Sequence, residues 1–183
     1  SALRIAEANS SELTVDAVKQ QWSAVFIERN AQQVIGLHKL FQLYLAKWEL
    51  LKQAPPPDIH LFIQTACNHL IQKADRIICK TPSLLQDSCK EPTAKALHIV
   101  ELIHTFTQEA LSLQGEQCLQ AFDEIMNQLA ADLQVDVAEI NQLITEYSGQ
   151  TAPDLMSQHF TPSESQIMGV LHTNFDQPCT YDV

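Results

Sequence analysis

The stretch VIGLHKLFQLYLAKWELL, residues 34–51, decides the fold class, because its apolar residues recur at alternating intervals of three and four. That spacing is typical of a helix that packs lengthwise against a neighbouring helix. Burying each such side chain contributes about 1.5–3 kcal/mol before entropy costs. We therefore predict an intramolecular core seam, formed by Val34, Leu37, Phe41, Tyr44, Trp48 and Leu51.

Helical spacing continues on both sides of this seam. Upstream, Thr14 is a suitable N-cap for a first helix, and a break near Asn30 would separate that helix from the seam. Downstream, Pro55-Pro56-Pro57 ends the seam helix, because proline lacks an amide donor and restricts the residue before it. Asp58 then caps a third helix, which runs to about Cys79.

Proline, glycine and capping residues divide the remainder into further helices. We place these at about 82–88, 92–115, 116–133, 136–149 and 161–171, with Asp136 and Glu139 forming a capping box. The chain has only four glycines and no alternating apolar run bounded by turn residues, so strands have little support. The sequence predicts an all-α, irregular bundle of six to eight helices. Residues 1–149 would form the helical domain, and 150–183 a linker, a short helix and a loose tail.

Length and composition limit the class of protein. A chain of 183 residues with 45% apolar content has the size and composition of a protein with one hydrophobic core. The chain contains no run of 18 apolar residues, so we expect no membrane span. The first residues lack the apolar segment of a secretory signal. Five cysteines, odd in number and without a CxxC pair, favour reduced thiols. We therefore expect a cytoplasmic protein.

Charge is distributed unevenly along the chain. Residues 1–95 hold all eleven Lys and Arg against nine carboxylates, whereas residues 96–183 hold thirteen carboxylates and no Lys or Arg. Such a half repels nucleic-acid phosphates and attracts a partner protein with a basic or amphipathic segment. We predict that helices between about 96 and 148 bind this partner. The candidate rim residues are Glu109, Glu116, Asp123, Glu124 and Glu139.

Two groups of residues have the types that bind metals. Glu101 and His104 share one helix face, and His98 lies on the same stripe, but a di-iron bundle requires a second Glu-x-x-His that the chain lacks. Three ligands at these intervals also span too wide an arc for one ion.

A second group, His60, Cys67 and His69, lacks the four ligands at short spacing that a zinc site uses. The chain also has no Gly-x-Ser-x-Gly and no phosphate-binding glycine loop. We therefore predict no metal, no cofactor and no enzymatic activity, with a metal-binding helical-bundle enzyme as the less favoured alternative.

Residues 126–148 resemble the helix-turn-helix of DNA-binding regulators. Ala130, Leu133, Val135, Ile140 and Leu143 stand where that motif has its small residue, turn hydrophobes and recognition-helix core. The pattern departs at Gln134, where the family usually has a turn glycine. This segment carries four carboxylates and no cation to neutralise phosphates. The leading prediction is a non-catalytic adaptor or chaperone-like protein, and a helix-turn-helix regulator is the alternative.

Overall fold

The computed structural model describes residues 15–79, 81, 85 and 87–156. Six helices and no strand occur in these ranges, which confirms the prediction of an all-α, multi-helix fold. In chain order the helices are α1 Val15–Leu51, α2 Ile59–Cys79, α3 Lys90–Glu109, α4 Glu116–Asp132, α5 Val137–Tyr147 and α6 Ala152–Met156. None of these six combines the length and the hydropathy that a membrane span requires.

Helix α1 is continuous, so the interpretation of a break near Asn30 is wrong. Its 37 residues span about 55 Å at the rise of an α-helix. Asn30 is buried and donates a hydrogen bond through Nδ2 to Oγ1 of Thr81 at 3.3 Å. Tertiary packing thus keeps in the helix a residue whose intrinsic propensity is low.

The predicted core seam is confirmed. Tyr44 is half-buried, with its hydroxyl hydrogen-bonded to Nδ1 of His69 at 2.8 Å, and the other five seam residues are buried. Residues between the seam positions, such as Leu40, Leu43 and Ala46, are buried too. This part of α1 is therefore surrounded by other helices, as is typical of a central helix.

Helix α2 runs antiparallel to α1. The ring of Tyr44 contacts the ring of Phe62, with centroids 6.0 Å apart, whereas Asn30 near the middle of α1 bonds to Thr81 just beyond α2. α1 ends at Leu51, shortly before the three prolines. Helix α3 packs mainly on α2, and α5 packs mainly on α1.

The turn between α4 and α5 has a well-defined backbone. Gln134 adopts the left-handed conformation, at a φ of 53°. The amides of Gln134 and Val135 donate to the carbonyls of Ala131 and Ala130 at 3.1 and 3.0 Å, which is the Schellman pattern of a helix C-terminus. Asp136 then caps α5 by accepting a hydrogen bond from the amide of Ala138 at 2.9 Å, as the sequence predicts.

A short helix forms near the end of the described chain, where the sequence predicts a linker from residue 150. α6 forms there, and its Leu155 is buried in the common hydrophobic core. The short helix predicted over 82–88 falls largely outside the described residues. The helix predicted after Thr161 and the tail over 173–183 lie entirely outside them.

Candidate partner-binding surface

The described part of the acidic half, residues 96–156, carries ten carboxylates and no Lys or Arg. Four of the five predicted rim residues are exposed there: Glu139 on α5, which is described below, and a group of three formed by Glu109 at the end of α3 and by Glu116 and Glu124 on α4. Within the described chain none of the three forms an ion pair. Their charges therefore face solvent.

Asp123 has a different environment. Its Oδ1 accepts hydrogen bonds from Nε1 of Trp48 and from Nζ of Lys52, each at 3.0 Å, and its Oδ2 accepts one from Asn127 at 3.3 Å. Lys52 also pairs with Glu49 at 2.9 Å. The carboxylate of Asp123 thus joins α4 to the C-terminal end of α1. Asp123 is therefore a structural residue as well as a candidate rim residue.

These contacts change two pKa values. Partial burial acts to raise the pKa of Asp123, but the hydrogen bonds from Trp48 and Lys52 outweigh it and hold the pKa below its ordinary value. Burial acts to lower the pKa of Lys52, and the carboxylates of Glu49 and Asp123 outweigh it, so that this pKa is raised. Both groups are therefore held in their charged forms.

Glu139 also makes an internal contact, although its side chain is exposed. Its Oε2 accepts a hydrogen bond from Nε2 of the buried Gln42 at 3.0 Å. It does not cap its own helix as the predicted capping box requires, because it is engaged by α1. The charge of Glu139 acts to raise the pKa of nearby His38, but burial and the charge of Lys95 prevail and lower it.

The structure separates the residues of the first potential metal group. Nε2 of His98 lies 2.7 Å from Oδ2 of Asp132, which joins α3 to α4. Glu101 and His104 are exposed. Across the described residues, no group of three His, Cys, Asp or Glu side chains is placed to hold a metal ion.

The second group is engaged in packing. His69 bonds to Tyr44, and Cys67 is 1% exposed, with burial raising the pKa of its thiol to about 12. Burial also raises the pKa of Cys89 and Cys118. These three thiols therefore stay protonated near neutral pH, and a protonated thiol is a poor nucleophile.

A pocket of about 220 Å³ lies at the C-terminal end of α1 and has no counterpart among the sequence predictions. No local signal predicts it, because its walls come from segments about one hundred positions apart. Its lining residues are Leu50, Leu51, Ala54, Tyr147, Ser148, Gln150, Ala152 and Leu155.

Comparison with known proteins identifies no relative: no family model, no curated protein and no solved structure matches this chain.

Proposed function

We propose that the protein is a non-catalytic, cytoplasmic adaptor or chaperone-like protein that binds a basic or amphipathic segment of another polypeptide through its acidic half. One observation carries the proposal. The thirteen carboxylates after residue 95 have no Lys or Arg among them. Solubility alone requires a net charge and does not require the exclusion of cations over so long a stretch.

The unpaired carboxylates supply the physical mechanism. Exposed like charges produce a potential that accelerates encounter with a cationic partner, and salt weakens that acceleration. Glu109, Glu116 and Glu124 support this role best, because they are exposed and form no ion pair with described residues. Asp123 and Glu139 contribute charge to the same half while they also hold α1.

The test measures association with a labelled basic peptide, KRKRAKRKR, by stopped flow at about 20 mM and about 200 mM salt. Replacing Glu109, Glu116 and Glu124 together by Gln should slow association about tenfold at the lower salt concentration. The difference should shrink at the higher one.

A matched control removes the same number of charges from the other half. Glu28→Gln, Asp58→Asn and Glu91→Gln change three carboxylates that are also exposed. This control should change the rate less than about twofold. Equal slowing by both triple variants would contradict the proposal, because net charge alone would then explain the effect. An association rate indifferent to salt would contradict it as well.

A second candidate, a helix-turn-helix regulator, is favoured by the turn between α4 and α5. Gln134 takes the left-handed conformation that the motif's turn glycine normally supplies. The four carboxylates of residues 126–148 remain without a compensating Lys or Arg. Random duplex DNA at low salt decides between the candidates. Salt-sensitive binding at micromolar protein would favour the regulator and overturn the adaptor.

A further inference from the structure

We propose that the pocket at the end of α1 holds one aromatic side chain of the basic partner segment. This inference rests on the proposed function and names where, in the acidic half, the partner is anchored. The pocket lies between the last residues of α1 and the connection from α5 to α6.

The pocket has the size and chemistry of an anchor site. Leu51, Tyr147 and Leu155 are at most 5% exposed and give the lining two leucine side chains and an aromatic ring, whereas Ser148 and Gln150 give it polar groups. A cavity of about 150 Å³ accepts a benzene molecule, so about 220 Å³ has room for the ring of a phenylalanine. Aromatic anchors in such pockets dominate the affinity of many interfaces.

The charges around the pocket favour a basic occupant. Glu146 and Asp154 are exposed next to the lining residues Tyr147 and Leu155, and neither is in an ion pair with the described chain. The segment that carries them, residues 96–156, has no Lys or Arg of its own. An acidic segment would be repelled here, and a basic segment attracted.

The two lysines near the pocket do not reverse this balance. Lys52, which follows the lining residue Leu51, is held between Glu49 and Asp123 at 2.9 and 3.0 Å. Lys47 is only 6% exposed, and its ammonium lies 5.6 Å from the centre of the Tyr147 ring. The single charge of Lys52 is neutralised by two carboxylates, and Lys47 is too deeply buried to contact an incoming partner.

The pocket and the acidic surface are connected through Lys52. Because its ammonium reaches Asp123 on α4, this part of α4 lies at the same end of α1 as the pocket. A single extended segment can therefore place cations near α4 and an aromatic ring in the pocket. Charge would set the rate of encounter, and the ring would set the lifetime of the complex.

The experiment titrates the full chain with two peptides, KRKRFKRKR and KRKRAKRKR, and follows backbone amides by nuclear magnetic resonance. We expect the phenylalanine peptide to shift the amides of Ser148, Gln150 and Ala152. We also expect it to bind about tenfold more tightly than the alanine peptide, since a buried aromatic ring contributes at least the roughly 1.4 kcal/mol that this ratio represents.

A filled pocket provides the decisive variant. Ala54 is exposed and lines the pocket, so Ala54→Leu should occupy part of it without disturbing the core. Ala131→Leu, at an exposed position on α4, is the matched control. The first variant should abolish the tenfold preference for phenylalanine, and the second should keep it. Unchanged thermal unfolding would show that both variants are folded.

The other possible results would each contradict either the anchor pocket, the proposed occupant or the proposed function. Equal, salt-sensitive binding of both peptides would leave the acidic surface standing and refute the anchor pocket. Absence of binding by both at low salt would refute the proposed function itself. Amide shifts at the pocket on simple dilution would identify a second copy of the chain as the occupant. Nuclear Overhauser contacts from Leu155 to residues 157–183 in the free protein would identify the chain's own end.

Discussion

Two sides of α4 carry carboxylates in opposite situations. Asp123 faces α1 and accepts three hydrogen bonds, whereas Glu124, the next residue, is exposed and forms no ion pair in the described structure. Successive residues of a helix differ in direction by about 100°, so adjacent carboxylates meet different surroundings. Their roles therefore follow from the helix face. The inner face holds α4 against α1, and the outer face is exposed to solvent.

The largest expected effect breaks the inner face. Trp48 is 1% exposed, and its ring lies edge-on to Phe122 with centroids 4.8 Å apart. Trp48→Ala leaves a cavity and removes the donor to Asp123, so the free energy of unfolding should fall by about 3–5 kcal/mol. Urea denaturation measures this loss. A change below about 1 kcal/mol would show that the α1 seam is not the core.

The next effect separates the hydrogen bond of Asp123 from its charge. Asp123→Ala leaves the indole N–H of Trp48 without its acceptor, which should lower the free energy of unfolding by about 1–3 kcal/mol. Asp123→Asn retains an acceptor oxygen and should cost less than about 1 kcal/mol. Chemical denaturation of both variants provides the comparison. Equal losses would mean that charge, and not the hydrogen bond, matters at this position.

Acid should reveal the same asymmetry between the two faces. The pKa of Asp123 is lower in the folded chain than its ordinary value. Its contribution to stability is therefore complete above the unfolded pKa of about 3.9, and it is lost as pH falls through the folded pKa. Asp123→Asn should flatten the decline of stability below about pH 4, and Glu124→Gln should not. Thermal unfolding across this pH range measures both slopes.

A smaller effect concerns the residue that ends α4. Gln134 has a left-handed backbone, which disfavours any side chain with a Cβ. Gln134→Gly should raise the free energy of unfolding by about 0.5–1 kcal/mol, since glycine adopts this conformation without strain. Calorimetric unfolding measures the gain. A loss of stability would mean that the glutamine side chain makes a compensating contact.

The smallest effect belongs to the outer face. Glu124→Gln changes an exposed carboxylate without an ion pair in the described chain, so stability should stay within about 0.5 kcal/mol. The same denaturation assay used for Asp123→Asn allows direct comparison of the two neighbours. A larger loss at Glu124 than at Asp123 would reverse the assignment of the two faces.

Local patterns in the sequence predict the helices well. The seam of α1 follows from its spacing, and the cap of α5 follows from Asp136. The continuity of α1 at Asn30 does not, because it depends on packing and on a hydrogen bond to Thr81, 51 positions away. Leu155 was likewise unexpected in the core, since its short helix lacks a full apolar repeat.

The site is less predictable than the fold, for a physical reason. Composition identifies an acidic half, but it cannot distinguish Asp123 from Glu124. The two differ because Trp48 and Lys52 donate hydrogen bonds to Asp123 in the folded chain. The pocket is harder still, since residues 50–54 and 147–155 meet only in the folded chain. Chemistry that depends on contacts between distant segments leaves no local pattern to read.

Helix α1 is synthesised well before several of the residues that contact it. Its partners lie late in the chain: Trp48 contacts Asp123, 75 positions on, and Gln42 contacts Glu139, 97 positions on. At a translation rate of about 5–20 residues per second, about 5–20 s pass between the synthesis of the end of α1 and the synthesis of α5. During that interval its apolar seam is covered first by α2 and α3, and later by α4. The hydrogen bonds that join α1 to α4 and α5 can therefore form only after these later helices have been made.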